Sequence, residues 1–424
     1  MSVHGLTLTE KVLARCANLP EVRAGDEVRV RPDFVHAYEL KGTTDVIERD
    51  MPIYGPGKVV APERYAVFID HRVPAKLPEQ EALHEKTRQW CKKYGMALFD
   101  RRGIGHQVAS EEGYAIPGSF AVHLDGHISQ LGAFGALAIG VRGNVFEAFV
   151  SETINLRVPG TTRVILNGSV PHGVSGRDVF NHLLYLHGPQ CAAFDVLEFC
   201  GPGASTISVE DRQTICGLAM FTGAVSAVFD PVDQYCIEYP KERAPAITLQ
   251  RSDENAAFTR TFVIDLNEVE PMIVLPPSPA NARPLNDHLG IPLTTGYLGS
   301  CASGRLTDLR VAARILAGKT LPPGFSLHVV PTSQKIMAEA ASDGTLATLI
   351  EAGAFLSSPS CDFCSGNIAT MASGQTAIST GTLNVPGRMG AVDADIYLAS
   401  AATLAASALR GRITDPREFL VEQS

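Results

Sequence analysis

Along this chain of 424 residues, short apolar runs alternate with stretches whose apolar positions recur at helical spacing. The short runs read as strands: "RYAVFID" (64–70), "TRVILNG" (162–168), "AFDVLEFCG" (193–201) and "SLHVVP" (326–331). The periodic stretches "EQEALHEKTRQWCKKYG" (79–95) and "GRLTDLRVAARILAG" (304–318) read as helices. So does the start of the chain, where Leu6, Leu8, Val12 and Leu13 fit an amphipathic helix and Thr7 or Thr9 can cap it. Strands and helices taking turns in this way predict an α/β fold built in layers. Glycine and proline mark the joints. "NLRVPGTTR" (155–163) is one boundary; "VLPPSPANARP" (274–284), with four prolines in eleven residues, is a stiffer connector. Three α/β units are expected, over 1–157, 158–275 and 276–424.

Composition narrows the classes. Hydrophobic residues make up 45% and charged residues 19%, enough for sizeable cores and unlike a disordered chain. The formal net charge is -9 with no Lys/Arg-rich run, which argues against a nucleic-acid partner. No apolar run approaches the roughly 18 residues of a membrane span. The first residues lack a signal peptide's apolar core and cleavage site, and Glu10 argues against a mitochondrial presequence. Nine cysteines, an odd number, read as thiols rather than a disulfide framework, so the cytoplasm is the expected compartment.

Two of those thiols, Cys361 and Cys364, sit in "SSPSCDFCSGN" (357–367). Alone, such a pair fits a redox couple, half a zinc site or part of an iron–sulfur cage. Cys301 adds a third thiol, at the junction of the strand-like "TTGYLG" with a helix starting near Arg305. Gly299 and Gly304 allow tight backbone there, and a helix N-terminus favours an anionic group. Structural zinc wants four closed ligands, and no second C-x-x-C or H-x-x-x-H completes the set. Three thiolates on a four-iron cube leave one iron open as a Lewis acid.

These cysteines, with "GSCASGRLTDLR" (299–310), resemble those of the 3-isopropylmalate dehydratase large subunits, within the aconitase superfamily. The resemblance runs nearly end to end: "TLTEKVLARCA" (7–17), "FIDHRVPAK" (68–76), "GIGHQV" (103–108), "HLDGHISQLGAFGALAIG" (123–140), "EDRQTICG" (210–217) and "IYLASAATLAASALRGRITDPR" (396–417) stand in family order. It implies three α/β/α domains around a [4Fe–4S] cluster held by Cys301, Cys361 and Cys364. Dehydrating a hydroxy acid removes a carbon-bound proton and expels hydroxide, which leaves with help from a Lewis acid and a proton donor. By resemblance, Asp70, His71 and His106 are the acid and orienting groups, and Asp125 and His127 match the family's Asp-Ser-His triplet. Arg388 stands where a family arginine grips a substrate carboxylate. Arg212 and Arg305 also match family arginines, with bracing the fold as their alternative role.

Departures gather where the family binds substrate. The triplet reads Asp125-Gly126-His127. Gly217 and Phe221 replace an Asn and a Glu expected on one helix face. "STGTLNVPGR" (379–388) puts Thr382 and Leu383 where Asn and a second carboxylate-binding Arg belong. The family's His-Asp-x-Thr reads Tyr38-Glu39-Leu40-Lys41, bringing a new cation, Lys41, towards the pocket. Losing one arginine while gaining Leu and Phe implies a hydroxy acid less doubly acidic than isopropylmalate. Two rivals are 3-isopropylmalate itself, in leucine synthesis, and a non-catalytic iron–sulfur sensor. The chain ends soon after "RGRITDPREFLVEQS" (410–424), where fused aconitases continue into a swivelling domain; a separate small subunit is expected to supply it.

Overall fold

The computed structural model describes residues 4–39, 59–231 and 250–420. Lys41 lies outside them. Beside a two-stranded antiparallel sheet of Glu27–Val30 with Ile154–Arg157, three larger sheets follow one another along the described residues. The first orders Ala97–Asp100, Tyr65–Ile69, Phe34–Tyr38, Phe120–His123 and Leu137–Gly140 side by side, all parallel. Its central strands are buried at every position, the continuous apolar pattern of a parallel sheet covered on both faces. The second sheet, also parallel, runs Ser226–Phe229, Val196–Cys200, Thr161–Asn167 and Arg260–Asp265. The third has seven strands: Ala282–Pro284, Met272–Val274, Asp395–Leu398, Thr376–Ser379, Thr295–Leu298, Ser326–Val329 and Phe355–Leu356. Only its first two pairings are antiparallel. The α/β layering read from the sequence is therefore the fold.

Local chemistry explains the helix ends. The helix Leu8–Ala17 starts at Thr7 rather than Thr9: the Thr7 hydroxyl accepts the Glu10 amide at 3.2 Å, and the Glu10 carboxylate accepts the Thr7 amide at 2.8 Å. Such a cap contributes about 1 kcal/mol. Pro78–Tyr94 begins on a proline and stops at Gly95, whose φ of 70° ends the helix in the left-handed region.

Two expectations need correction. "VLPPSPANARP" is no inter-unit connector: Pro276, Pro277 and Pro279 lie in a tight loop joining Met272–Val274 to its antiparallel neighbour Ala282–Pro284, closed by Leu275 N–H to Asn281 O at 3.0 Å. Met272–Val274 thus belongs to the third sheet. The helix Val209–Leu218 also ends before Phe221, which sits in the 3-10 turn Ala219–Thr222 and packs, half-buried, against core residues. Gly217 and Phe221 do not share a helix face.

Ligands of open parallel sheets gather at the carboxyl ends of the strands. Here those of the first and third sheets meet. Cys361 N–H bonds Asp70 O at 2.8 Å, and the Ser360 hydroxyl bonds the same carbonyl at 3.0 Å. Arg72 reaches across to the Asp362 carboxylate at 3.2 Å.

Candidate active site

Cys301 follows Thr295–Leu298 on a tight loop that needs both of its glycines. Gly299 has φ 148° and Gly304 φ 82°, and a side chain on either would meet Val330 O at 2.5 and 2.7 Å. Cys361 and Cys364 lie in a short 3-10 turn, Cys361–Ser365, which follows Phe355–Leu356, starts on the Ser360 hydroxyl and closes at Gly366. Cys301 and Cys364 are buried and Cys361 partly so. The thiols perturb one another. A hydrogen bond from Cys361, with Arg388 and His127 nearby, pulls the Cys364 thiol down to about 6 against the effect of burial. The same contact pushes Cys361 up, and burial next to Cys364 pushes Cys301 up. Arg388 donates to Cys364 Sγ at 3.1 Å. In the structure this arginine, assigned to a carboxylate from the sequence, is aimed at a sulfur.

The other wall comes from the first sheet. Asp70 and His71 leave the strand Tyr65–Ile69, with Asp70 Oδ1 2.7 Å from His71 Nδ1. Glu39, on the neighbouring strand's end, is 3.4 Å from the same nitrogen and accepts the His71 amide at 2.9 Å and the Asp70 amide at 3.3 Å. Burial opposes the imidazolium, but Asp70 and then Glu39 hold His71 well above its ordinary range. Asp125, beyond Phe120–His123, accepts both the backbone and the ring N–H of His127 at 3.0 Å. Burial opposes both charges, yet the pairing raises His127 and lowers Asp125. With Nδ1 so held, His127 Nε2 is buried and has no hydrogen-bond partner among the described residues; neither have Arg388 Nε and Thr382 Oγ1. Buried polar atoms without partners mark a place for a ligand.

Among the described residues the structure thus brings together the three cysteines, both carboxylate–histidine pairs, His106 and Arg388. Three thiols, two buried and one partly buried, beside a guanidinium form a soft, anion-stabilising donor set, and they fit an iron–sulfur cluster.

Sequence reasoning noted Tyr38 and Glu39 only as departures. In the structure Tyr38 lies at the centre of the first wall, its hydroxyl 2.8 Å from His106 Nε2 and 3.4 Å from Asp125 Oδ2. Its ring meets those of His71 and His123 edge-on. Behind it, His36 and His123 are fully buried, with Nδ1 atoms 3.2 Å apart. Burial and their neighbours keep both neutral, His123 down to about 3. The signal in the sequence was partial: "FVHAY" and "FAVH" are the strands Phe34–Tyr38 and Phe120–His123, and only their parallel pairing brings their last residues to one sheet edge.

Comparison with known proteins bears on this geometry. Residues 58–411 match the aconitase family (aconitate hydratase). The 3-isopropylmalate dehydratase large subunit of Clostridium kluyveri is 33% identical over 421 residues, 98% of this chain and 100% of that protein. Large subunit 1 of Methanopyrus kandleri is 34% identical with the same coverage, and the Aquifex aeolicus large subunit is 34% identical over 98% of each. The crystal structure of holo aconitase X from Thermococcus kodakaraensis aligns over 91% of this chain and 92% of its own at 12% identity, with a TM-score of 0.48, too loose to carry an argument. No helix among the described residues is long and apolar enough to cross a membrane. The chain belongs to the aconitase family, and it is a hydro-lyase of the aconitase and 3-isopropylmalate dehydratase type.

Proposed function

We propose that this chain is the large subunit of a two-subunit iron–sulfur hydro-lyase acting on a hydroxy acid less doubly acidic than isopropylmalate. The three sheets support a division into three units, with boundaries near 157 and 271. Cys301, Cys361 and Cys364 would hold a [4Fe–4S] cluster. When bound, its thiolate-free iron supplies Lewis-acid assistance to the departing hydroxyl. The remaining chemistry belongs to side chains. His127 presents a proton at Nε2 while Asp125 fixes Nδ1, so it donates to a substrate oxygen. His71, clamped between Asp70 and Glu39, stays an imidazolium and serves as the proton donor for the leaving group. Tyr38 holds His106 against Asp125. Arg388, with Nε free, adds one cation for a substrate carboxylate, and Lys41 is the candidate for a second. A separate small subunit carrying the swivel domain would close the site; the relatives' description as large subunits supports this.

The observation carrying the reading is the convergence of three thiols with two carboxylate-held imidazoles at facing strand ends. The changed substrate rests on Leu383 and Tyr38. Phe221 no longer argues for it, since it packs on the core. Gly217 packs against the Gln130 side chain, whose Cγ would lie 2.8 Å from an added side chain, so a larger residue there needs Gln130 to move. A second reading, 3-isopropylmalate as the true substrate, is favoured by 33–34% identity over nearly the whole chain. The test is anaerobic purification with the small subunit. A brown protein with four irons, losing iron towards a three-iron form in air and turning over a hydroxy acid, supports the proposal. A colourless, zinc-loaded protein with all three thiols engaged would falsify it.

A further inference from the structure

Beneath the cysteine loops lie two buried arginines whose guanidinium groups have no carboxylate bonded to them among the described residues. Arg305 is 1% exposed and Arg177 3%. Arg305 donates from Nε to Gln107 Oε1 at 3.2 Å and from Nη1 to the Thr214 hydroxyl at 3.0 Å. Its Nη2 donates to Gln130 Oε1 at 2.7 Å and to the Cys301 carbonyl at 3.0 Å. Arg177 Nη2 donates to the carbonyls of Thr380 and Gly381 at 2.5 and 2.9 Å. Thr380 is laced in turn to Gly299, its hydroxyl accepting the Gly299 amide at 2.8 Å, two residues before Cys301. Every one of these acceptors is neutral.

The neighbouring carboxylates are committed elsewhere. Asp178 accepts from the Ser175 amide and hydroxyl and from the Met272 amide at 2.8–2.9 Å. Asp211 accepts from Gly176 N–H and the Ser208 hydroxyl, and Asp308 from the Arg305 backbone. Burial also pushes Asp178 and Asp308 up to about 6, which weakens them as counter-charges. A desolvated guanidinium surrounded by neutral oxygens is costly unless an anion stands near. After burial, the charges acting on Arg177 are Asp178, Asp308 and then Cys301, and those acting on Arg305 are Asp308, Glu210 and then Cys301, so both arginines also feel the cysteine that begins the cluster loop.

We infer that Arg305 and Arg177 are the electrostatic seat of the cluster: positioning residues whose buried positive charges balance the thiolate-bound anion above them and raise its reduction potential. This goes beyond the cluster assignment but rests on it. Cluster potential follows net charge, hydrogen bonding and solvent exposure, so removing a buried cation makes reduction harder. The apo chain, meanwhile, is relieved of an uncompensated charge.

The test uses Arg305→Gln and Arg177→Gln, with Arg305→Lys and Arg177→Lys as charge-keeping controls, in the anaerobically purified complex. Redox titration followed by electron paramagnetic resonance should show each Gln variant at a lower potential. A tenfold change in the reduction equilibrium corresponds to about 59 mV for one electron. Chelator should strip iron from the Gln variants several-fold faster, with the Lys variants near wild type. Thermal unfolding of the apo chain should be unchanged or improved by Arg177→Gln. Equal loss of stability in apo and loaded forms, or an unshifted potential in an iron-containing Gln variant, overturns the inference. Should Arg305→Gln not fold, Arg177→Gln decides the matter alone. A wild-type chain that holds no iron overturns the cluster assignment and this inference together.

Discussion

The two walls of the site balance charge in opposite ways. The wall from the first sheet is internally neutralised: Asp70 and Glu39 flank His71, and Asp125 holds His127. The cysteine wall, built from the third sheet and the helix Gly176–His187, carries cations with no carboxylate bonded to them among the described residues: Arg388 faces Cys364, and the Arg305 and Arg177 guanidinium groups donate to neutral oxygens. The first wall has its charges paired as folded and leaves His127 Nε2 open for a ligand. On the proposed reading, the second is complete only when its thiols become anions around a bound cluster. One half of the site therefore stores protons, and the other waits for charge.

The comparison can be broken most severely at the sulfurs. Cys301→Ser, Cys361→Ser or Cys364→Ser should each abolish the brown colour and the turnover, whereas Cys216→Ser, a thiol buried in the core, should change neither. Optical spectra and iron content read the outcome. At the first wall, Asp70→Asn or His71→Ala should keep the cluster spectrum and lower kcat by roughly 10²–10⁴-fold, the usual contribution of a positioned acid. Unchanged kcat in both variants would remove that wall from the chemistry.

Tyr38→Phe sharpens the comparison further. It deletes the hydroxyl that bonds His106 Nε2 and reaches Asp125, a loss worth about 1.5 kcal/mol, or about tenfold in rate. The smallest effect concerns stability. His71 binds its proton more tightly folded than unfolded, so the stability it lends is full below its unfolded value of about 6.5. That stability is lost as pH rises through the raised folded value. The Tm difference between the chain and His71→Gln should therefore be largest in mild acid and shrink on the alkaline side. A difference that grows with pH would show that His71 is buried neutral.

The two walls also differ in how far they can be read from sequence. Cysteines at fixed spacing, Asp-His pairs and a glycine-flanked loop are local signals, and they mark both walls along the chain itself. Strand periodicity likewise points to the layered α/β fold. What escapes such a reading depends on neighbours distant in sequence. Tyr38 meets Asp125 because the strands Phe34–Tyr38 and Phe120–His123 are adjacent in one parallel sheet, and meets His106 because the helix Gly105–Glu111 starts at the same end of that sheet. Arg305 gathers Gln107, Gln130 and Thr214 from three separate segments. The proline-rich stretch misleads for a related reason: composition shows that a segment is stiff and turning, but only pairing shows that it closes a hairpin. Helix length is similarly overextended at Phe221, where core packing and a 3-10 turn win over a simple periodic reading.

The central claim is that the pocket between these walls takes a hydroxy acid other than 3-isopropylmalate, because Leu383 stands where a second carboxylate-binding arginine is expected. It is tested most directly by kcat/KM of the unmodified complex, with its own small subunit, on 3-isopropylmalate. The account expects a value well below that of ordinary enzymes, with Leu383→Arg raising it by restoring a bidentate carboxylate contact. A value at or above about 10⁴ M⁻¹s⁻¹ for the unmodified complex would contradict the account and make 3-isopropylmalate its substrate.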